Sequence, residues 1–421
     1  MRRNAIKTLA VAAAATVALS ACGRDSDDGG GGNDGGGGGG EVEASQGITD
    51  DQITFGISSP LSGPTAGPGT CTVAGITAYM ERRNAEGGIE FGDGKTRTVE
   101  IKAYDDAYDP ARAVSNFRQM LDDGVFGQVQ SLGTPTNLAV MPLANERGVP
   151  HVFLTTGATA FSEDPEANPY TMGFVPTYVS EGESFGRMLA ESGEDITVAV
   201  LAQNDDYGNG YVEGLKAGIE GSSVEIVAEA TYEPADTAID AQITDLASSD
   251  ADVFFNANSQ YNLVVQALQQ AQQLGWLPRI FLPSNTSSVS DALEPGNAEA
   301  YPAVYTVASS KNPNDSAFAE DEDVIQFQED MEQYASDITT TFVPHCAWSY
   351  AAGAAMEEAF SMMEEPTRDS FMEAARSIED LEAPMLLDGV TINTTEPGVP
   401  PINEVEITEF NGEKYVVSEG Y

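Results

Sequence analysis

The chain has 421 residues, of which 41% are hydrophobic, so it is long enough for two domains with sizeable cores. Its formal net charge of −48 argues against nucleic acid as a partner and against binding to anionic lipid headgroups by charge. Such acidity is typical of a well-solvated surface. It also fits a salt-rich habitat, where screening weakens self-repulsion, and both interpretations stay open.

The amino terminus has the pattern of a secretory signal peptide. A basic start precedes an apolar run at residues 10–19, which is shorter than the ~20 residues that a membrane-spanning helix needs. The run ends in Leu-Ser-Ala-Cys at residues 19–22, which resembles a bacterial lipobox. The resemblance implies removal of residues 1–21 and lipid attachment to Cys22; an ordinary signal peptide with a chance cysteine is the alternative. We therefore expect an exported protein that a lipid anchor holds to the outer face of the cell membrane.

Residues 22–47 are rich in Gly and Asp and predict a flexible tether. From residue 48 onward, apolar runs of strand length alternate with amphipathic helical segments. The first series predicts strands at residues 53–58, 98–104, 125–131 and 149–154, with helices at 74–84, 110–121 and 137–146. The second predicts helices at 180–191, 211–220, 238–247 and 263–274, with strands at 196–202, 224–230, 252–255 and 279–282. This alternation indicates two successive α/β units whose parallel sheets are covered on both faces.

The last part of the chain has a different pattern. It predicts helices at 318–334, 347–363 and 370–379, followed by a hairpin of residues 405–410 and 414–417 around Asn411-Gly412. Besides Cys22, only Cys71 and Cys346 are cysteines, and in an exported protein they form either one disulfide or two buried thiols.

Motifs of catalysis are missing from the sequence. It contains no Gly-x-Ser-x-Gly elbow, no phosphate-binding loop of the right length and no complete dinucleotide fingerprint. His151 and His345 lack metal-ligand spacing, and we expect a strand residue and a helix-start residue, respectively. We therefore predict no enzyme, no cofactor and no metal site. An extracellular hydrolase is the alternative, and it would need a nucleophile–base pair or a metal centre.

Four segments stand out in order: the strand and loop at 53–64, Asn-Ala-Glu-Gly-Gly-Ile at 84–89, the aspartates and proline of 105–110, and Asp-Asp-Tyr-Gly-Asn-Gly at 205–210. Together they resemble the substrate-binding lipoproteins of ABC transporters for leucine, isoleucine and valine. The resemblance implies the type I periplasmic binding protein fold, with two α/β lobes, a three-segment hinge and a ligand cleft between the lobes.

The resemblance also implies how the chain is divided and what it does. The first lobe would comprise residues 48–175 and 303–366, and the second lobe residues 176–302 and 367–421. The protein would act as a monomer that captures a small polar ligand by lobe closure and delivers it to ABC permease subunits in the membrane. A sensor with the same fold, reporting to a receptor, is the alternative.

The family motifs imply ligand contacts at Thr134, Ala158, Thr159 and Tyr207, and the same loops add Leu61 and Thr155. These loops follow predicted strands, which is the usual binding edge of a parallel sheet. Helix N-termini there offer free N–H groups to a ligand oxygen. Helix capping is the alternative role for the threonines.

Two departures from the family bear on the ligand. Pro68 stands where the family has a ligand-stacking tyrosine, and residues 283–288 lack the family's acid. Without that acid an ammonium group would be poorly compensated in a closed cleft, which argues against a branched-chain amino acid. Amides, urea-like molecules and carboxylates remain candidates, with Asn258, Ser284 and Asn285 as neutral partners on the second lobe.

Overall fold

The computed structural model describes residues 42–338 and 344–421, so the predicted signal peptide, Cys22 and most of the predicted tether lie outside it. The end of the predicted tether belongs to the folded part. Ser45 N donates to Pro366 O at 2.8 Å, and the Gln46 side chain donates to Leu121 O at 2.6 Å. Folding therefore begins a few residues before Ile48.

The first lobe is built from alternating strands and helices. Its elements are β1 (Gln52–Ser59), α1 (Ala66–Ala85), β2 (Ile89–Glu90), β3 (Thr96–Asp105), α2 (Pro110–Asp122), β4 (Gly127–Val129), α3 (Thr134–Arg147), β5 (His151–Leu154) and β6 (Thr171–Gly173). They form a six-stranded sheet in the order β2-β3-β1-β4-β5-β6. All pairs in this sheet are parallel except β2 with β3. The sheet confirms the predicted parallel α/β lobe.

The second lobe repeats this plan. Its elements are α4 (Tyr178–Glu191), β7 (Thr197–Gln203), α5 (Asp206–Gly218), β8 (Glu225–Tyr232), α6 (Asp240–Ala247), β9 (Val253–Ala257), α7 (Tyr261–Gln273), β10 (Arg279–Phe281) and β11 (Val304–Ala308). The chain ends with α8 (Glu322–Tyr334), α9 (His345–Met362), α10 (Arg368–Ala375), β12 (Glu406–Phe410) and β13 (Tyr415–Val417). The second sheet has the order β13-β12-β11-β10-β9-β7-β8, with the final hairpin antiparallel at its edge. The two-lobed fold class is thereby confirmed.

Two predicted lobe boundaries are wrong. Residues 304–308 were expected in the first lobe, but β11 pairs in parallel with β10 in the second sheet. Residues from 367 onward were expected in the second lobe, but α10 packs in the first-lobe core, where Phe371 lies 5.5 Å from Phe55 between ring centroids. That core continues to Ile402, so only the final hairpin returns to the second lobe.

The hinge consists of segments that follow β6, follow β11 and precede β12. Two backbone hydrogen bonds tie these segments to residues that are distant in sequence. Leu387 N donates to Ser309 O at 3.1 Å, and Ile402 N donates to Phe174 O at 3.1 Å. Within the described ranges, no helix has both the length and the apolar character needed to cross a membrane.

Helix α1 begins eight residues before the predicted start at residue 74, at Ala66. The sequence there is rich in Gly and Pro, which predicts a loop. Glycine allows the helix backbone to lie close to Pro60, because a Cβ atom on Gly69 would lie 2.0 Å from Pro60 O. Further along, a Cβ atom on Gly75 would lie 2.3 Å from Cys346 O, so α1 and α9 pack with their backbones close together. At this crossing Cys71 and Cys346 form a disulfide.

The disulfide joins residues 275 positions apart, so it should restrict the unfolded chain strongly. In a Cys22→Ser background, replacing both cysteines with serine should lower the free energy of unfolding by about 2–5 kcal/mol in urea titrations. Reductant should destabilise the parent protein and leave the double variant unaffected. Equal unfolding midpoints for the parent with and without reductant would contradict the bond's stabilising role.

Candidate ligand-binding cleft

The carboxyl ends of the two sheets face each other across a narrow cavity of about 30 Å³. This volume has room for about two water molecules. The residues that close the cavity come from the loops after β1, β3, β4, β5, β6, β9 and β10, and from α1, α4, α5 and α9. They are Thr65, Pro68, Tyr108, Leu132, Gly133, Thr155, Thr156, Val175, Tyr178, Glu181, Tyr207, Ser259, Ser284, Asn285, His345 and Trp348.

The first lobe presents two hydroxyl groups to Tyr178 of the second lobe. The Thr134 and Thr156 hydroxyls lie 2.8 Å apart, and the Tyr178 hydroxyl lies 3.3 Å and 3.2 Å from them. All three side chains are buried. The Tyr178 hydroxyl therefore pairs with both threonine hydroxyls at this edge of the first sheet and links the two lobes.

A second tyrosine crosses the cleft in the opposite direction. Tyr108, in the loop after β3, has a φ of 62°, and the preceding residue Ala107 has a φ of 49°. The Asp106 carboxylate holds this loop by accepting hydrogen bonds from Tyr108 N and from the Ser58 hydroxyl, each at 2.8 Å. Burial raises the pKa of the Tyr108 hydroxyl, and the Gln203 side chain at the end of β7 lies close to it. A Cβ atom on Gly133, whose φ is 116°, would lie 2.8 Å from the Tyr108 ring, so glycine makes room for this side chain.

The second lobe contributes an aromatic cluster. The Tyr207 ring lies 4.7 Å from that of Tyr178 and 5.1 Å from that of Tyr211. The Tyr207 hydroxyl donates to Asn258 O at 2.9 Å and to Asn285 Oδ1 at 3.0 Å. These bonds fix the ring beside the cavity.

Glu181, one turn after Tyr178 on α4, lines the same cavity and is 2% exposed. Its Oε2 atom accepts hydrogen bonds from Ser284 N at 3.1 Å and from the Tyr211 hydroxyl at 2.9 Å. Its Oε1 atom accepts one from the Ser284 hydroxyl at 2.7 Å. Burial raises the pKa of Glu181 to about 7, against the hydrogen bonds from Ser284, which favour the charged form.

Small residues bring α4 and α5 close enough to place these side chains. A Cβ atom on Gly182 would lie 2.3 Å from Tyr211 O, and one on Gly214 would lie 2.1 Å from Val179 O. Asp205 caps α5 by accepting a hydrogen bond from Tyr207 N at 3.0 Å. The backbones of the two helices therefore touch, and Glu181 reaches across to the Tyr211 hydroxyl.

The structure distributes the nine predicted ligand contacts into three groups. The residues that line the cavity are Thr155, Tyr207, Ser284 and Asn285. Thr134 and Asn258 do not line the cavity but are hydrogen-bonded to residues that do. Thr134 bonds to Tyr178, and Asn258 bonds to Tyr207. The remaining predictions, Leu61, Ala158 and Thr159, do not line the cavity.

Each residue outside the cavity has a physical reason for its position. Leu61 N donates to Asp105 Oδ1 at 2.9 Å, which holds its loop against β3. Ala158 packs into the core of the second lobe. Thr159 is exposed and begins a single 3-10 turn, in which its carbonyl accepts from Ser162 N.

The sequence reasoning missed Tyr108, Thr156, Tyr178, Glu181 and Trp348. A signal for Glu181 was present, because it lies on the buried stripe of α4 with Tyr178, Phe185 and Leu189 at helical spacing. A carboxylate on the apolar stripe of a helix is expected to be buried, whereas a carboxylate on the solvated face stays in water. Pro68 does line the cavity, at the position where the family motif has a tyrosine.

The histidines take the expected places in the chain, His151 in β5 and His345 at the start of α9. His151 Nε2 lies 2.9 Å from Asn137 Oδ1, and burial lowers the pKa of His151 to about 3, so the ring is neutral. In the described ranges, His, Cys, Asp and Glu form no group of three that could hold a metal ion.

A wider groove of about 700 Å³ adjoins the narrow cavity, and the two share Ser284 and Trp348. The groove runs between the loops after β10 and β11 and the first-lobe residues around Phe318. The cleft therefore consists of a tight polar end and a broad end.

Two α/β lobes whose sheet edges enclose a polar cavity define the class of two-lobed solute-binding proteins. The family model for periplasmic binding proteins matches residues 52–413. The chain belongs to the periplasmic binding protein family, in its type I branch with the leucine/isoleucine/valine-binding proteins. Membership of this family implies an exported, extracytoplasmic protein.

Three relatives illustrate the likeness in sequence. A leucine-, isoleucine-, valine-, threonine- and alanine-binding protein of Pseudomonas aeruginosa is 25% identical over 277 residues, which cover 65% of this chain and 72% of that protein. Leu/Ile/Val-binding protein homolog 3 of Brucella melitensis is 29% identical over 48% of this chain and 53% of its own length. The leucine-specific-binding protein of Salmonella typhimurium is 24% identical over 58% of this chain. The match covers 64% of the Salmonella protein, so the chain spans less than two thirds of two of these relatives.

Solved structures agree in fold. A substrate-binding periplasmic protein of Ralstonia solanacearum superimposes with a TM-score of 0.75 at 21% identity, covering 87% of this chain and 100% of that one. A branched-chain amino acid ABC transporter protein of Thermus thermophilus with bound valine has a TM-score of 0.75 at 17% identity, covering 89% and 97%. A fatty acid ABC transporter substrate-binding protein of Thermomonospora curvata has a TM-score of 0.74 at 19% identity, covering 90% and 95%.

The hydrogen bonds that link the lobes through Tyr178 can be tested without a ligand. Tyr178→Phe keeps the ring packed on Tyr211, 4.9 Å away, and removes only the bonds to the first-lobe threonines. Losing about 1 kcal/mol of closure energy should raise the ratio of open to closed molecules about fivefold. Small-angle X-ray scattering should then give a larger radius of gyration for the ligand-free variant.

Tyr170→Phe is the matched control, because the Tyr170 hydroxyl bonds to Asp369 within the first lobe. An unchanged radius of gyration for Tyr178→Phe would show that its hydroxyl does not hold the lobes together.

Proposed function

We propose that this protein is the extracytoplasmic solute-binding component of an ABC importer, which captures a small polar ligand in the interlobe cleft. The observation that carries this proposal is the cavity itself, in which hydroxyl groups from both sheet edges and one carboxylate converge. Family membership and the binding proteins among the relatives support the same role. The proposed role involves no chemistry on the ligand.

Ligand entry requires the lobes to open, because about 30 Å³ admits no amino acid or amide. A ligand that fits between the open lobes would replace the Tyr178 hydroxyl at Thr134 and Thr156. Closure then depends on the extra affinity of the ligand for the closed form. The closed lobes would present a surface to permease subunits of the membrane.

The predicted lipid anchor belongs to this proposal. Attachment at Cys22, followed by the Gly-rich tether, would hold the binding protein beside its permease as a monomer. The mass of the mature protein tests the anchor. An acylated amino-terminal Cys22 supports it, and a mature terminus elsewhere contradicts it.

A thermal-shift screen tests the binding function. We expect at least one compound among amino acids, amides, urea and small carboxylates to raise the melting temperature, because a ligand that binds only the folded state stabilises it. Thr134→Val should weaken a confirmed ligand by about 1–3 kcal/mol in calorimetry, since it removes a buried donor from the site.

Thr136→Val is the matched control, because the Thr136 hydroxyl donates only within its own helix turn, to Leu132 O and Gly133 O at 3.1 Å. Equal affinities for both variants would remove Thr134 from the site. A screen in which no compound shifts the melting temperature would contradict the proposed function.

A further inference from the structure

The broad groove beside the narrow cavity has the size of a binding site. Its volume of about 700 Å³ lies within the ~300–1,000 Å³ that small-molecule sites occupy. The groove and the narrow cavity share Ser284 of the second lobe and Trp348 of the first lobe. A ligand whose polar end reaches the narrow cavity can therefore extend into the groove without leaving the cleft.

Trp348 forms a fixed wall where the two spaces meet. Its indole N–H donates to the Ser309 hydroxyl at 2.9 Å, and both side chains are buried. The Ser309 carbonyl accepts from Leu387 N at 3.1 Å, so Leu387 belongs to the same part of the groove. The Leu387 side chain lines the groove and is half-buried. An apolar contact thus lies close to the polar end of the cleft.

Both lobes contribute apolar side chains to the groove. Phe318, which packs on the first-lobe core, lies on one side, and β13 of the second lobe lies on the other. The adjacent valines of β13, Val416 and Val417, are 38% and 59% exposed. Apolar surface that stays in water gains free energy when a ligand covers it, so these walls favour an apolar occupant.

Most hydroxyl groups at the groove are already used within the protein. The Ser287 hydroxyl donates to Ser284 O at 2.9 Å, and the Thr408 hydroxyl donates to Thr306 O at 3.4 Å. The Thr306 hydroxyl pairs with no described residue, but its oxygen is itself buried. The groove therefore presents few free hydroxyl groups to a ligand.

The charged groups of the groove are paired or solvated. Lys414, the one basic residue among its described lining residues, pairs with the Asp315 carboxylate. The other acids of the lining are exposed to water, namely Glu294, Glu406 and Glu413. No buried charge thus awaits a charged partner among the described lining residues, in contrast to a site built for an ionic group.

We propose that the broad groove is a subsite for an uncharged aliphatic chain of the ligand. This inference rests on the proposed solute-binding function and narrows its ligand class to molecules with a polar head and such a chain. The head pairs with the polar groups of the narrow cavity. The chain passes Trp348 and covers Leu387, Phe318 and the two valines of β13.

The test uses three homologous series of linear compounds, each with one polar head: the amides from acetamide to hexanamide, the carboxylates from acetate to octanoate, and the amino acids from alanine to 2-aminooctanoate. In at least one series, calorimetry on the wild-type protein should show binding that strengthens with chain length. The expected gain is about threefold to fourfold for each added methylene that leaves water for the groove.

Leu387→Asn should weaken the longest member of the binding series about 10-fold and leave the shortest member unchanged, because only a chain in the groove contacts this side chain. Leu277→Asn is the control, since Leu277 is 46% exposed and does not line the groove. It should change the affinity of neither compound. Equal weakening of the short and the long compound by Leu387→Asn would overturn the subsite, as would an unchanged affinity for the long compound.

The outcomes also separate this inference from the proposed function. Binding that stays level or weakens as the chain grows, in every series that binds, overturns the subsite and leaves solute binding intact. Failure of every compound, in these series and in the wider thermal-shift screen, contradicts the solute-binding function itself.

Discussion

A cleft that closes must satisfy every polar group that it buries, and this constraint organises the space between the lobes. Water has almost no room there, so unpaired hydroxyls and carboxylates would each cost free energy. Side chains that cross between the lobes pair with these polar groups. The Tyr178 hydroxyl satisfies the threonines of the first lobe, and Tyr108 reaches Gln203 of the second. Both tyrosines therefore link the lobes when the cleft is closed.

The fold makes this arrangement possible by placing loops of both sheets at one place. Parallel strands end together, so Thr155, Tyr207 and Ser284, which follow β5, β7 and β10, meet without any special sequence between them. Close contacts between helices then fix the finer geometry. The α4–α5 backbone contact at Gly182 and Gly214 brings Glu181 to Tyr211, and the disulfide at the α1–α9 crossing lies on the first-lobe side.

The sequence predicted the alternation of strands and helices well, because buried parallel strands and amphipathic helices have clear patterns. It failed where local signals conflicted with packing. The first two turns of α1 contain Gly67, Pro68 and Gly69, which favour a loop, yet the helix continues there against Pro60. Nothing in the local sequence of β11 indicates which sheet it joins, and its pairing with β10 moved the lobe boundary.

The candidate site was predictable only in part, for a similar reason. Positions after strands, such as Thr155 and Tyr207, follow from topology and from family motifs. The residues that cross between lobes do not, because their partners are distant in sequence. Glu181 is one of 67 acidic residues, and only its place on the buried stripe of α4 distinguishes it. Tyr108 depends on two residues with positive φ, which no pattern in the sequence indicates.

The central claim is that the lobes open to admit ligand and close around it. Spin labels at the exposed positions Asp122 on the first lobe and Glu213 on the second would report their separation by double electron–electron resonance. The account predicts two distance populations in the ligand-free protein and loss of the longer one when a ligand identified by thermal shift is added. A single distance that stays the same with and without bound ligand would contradict it.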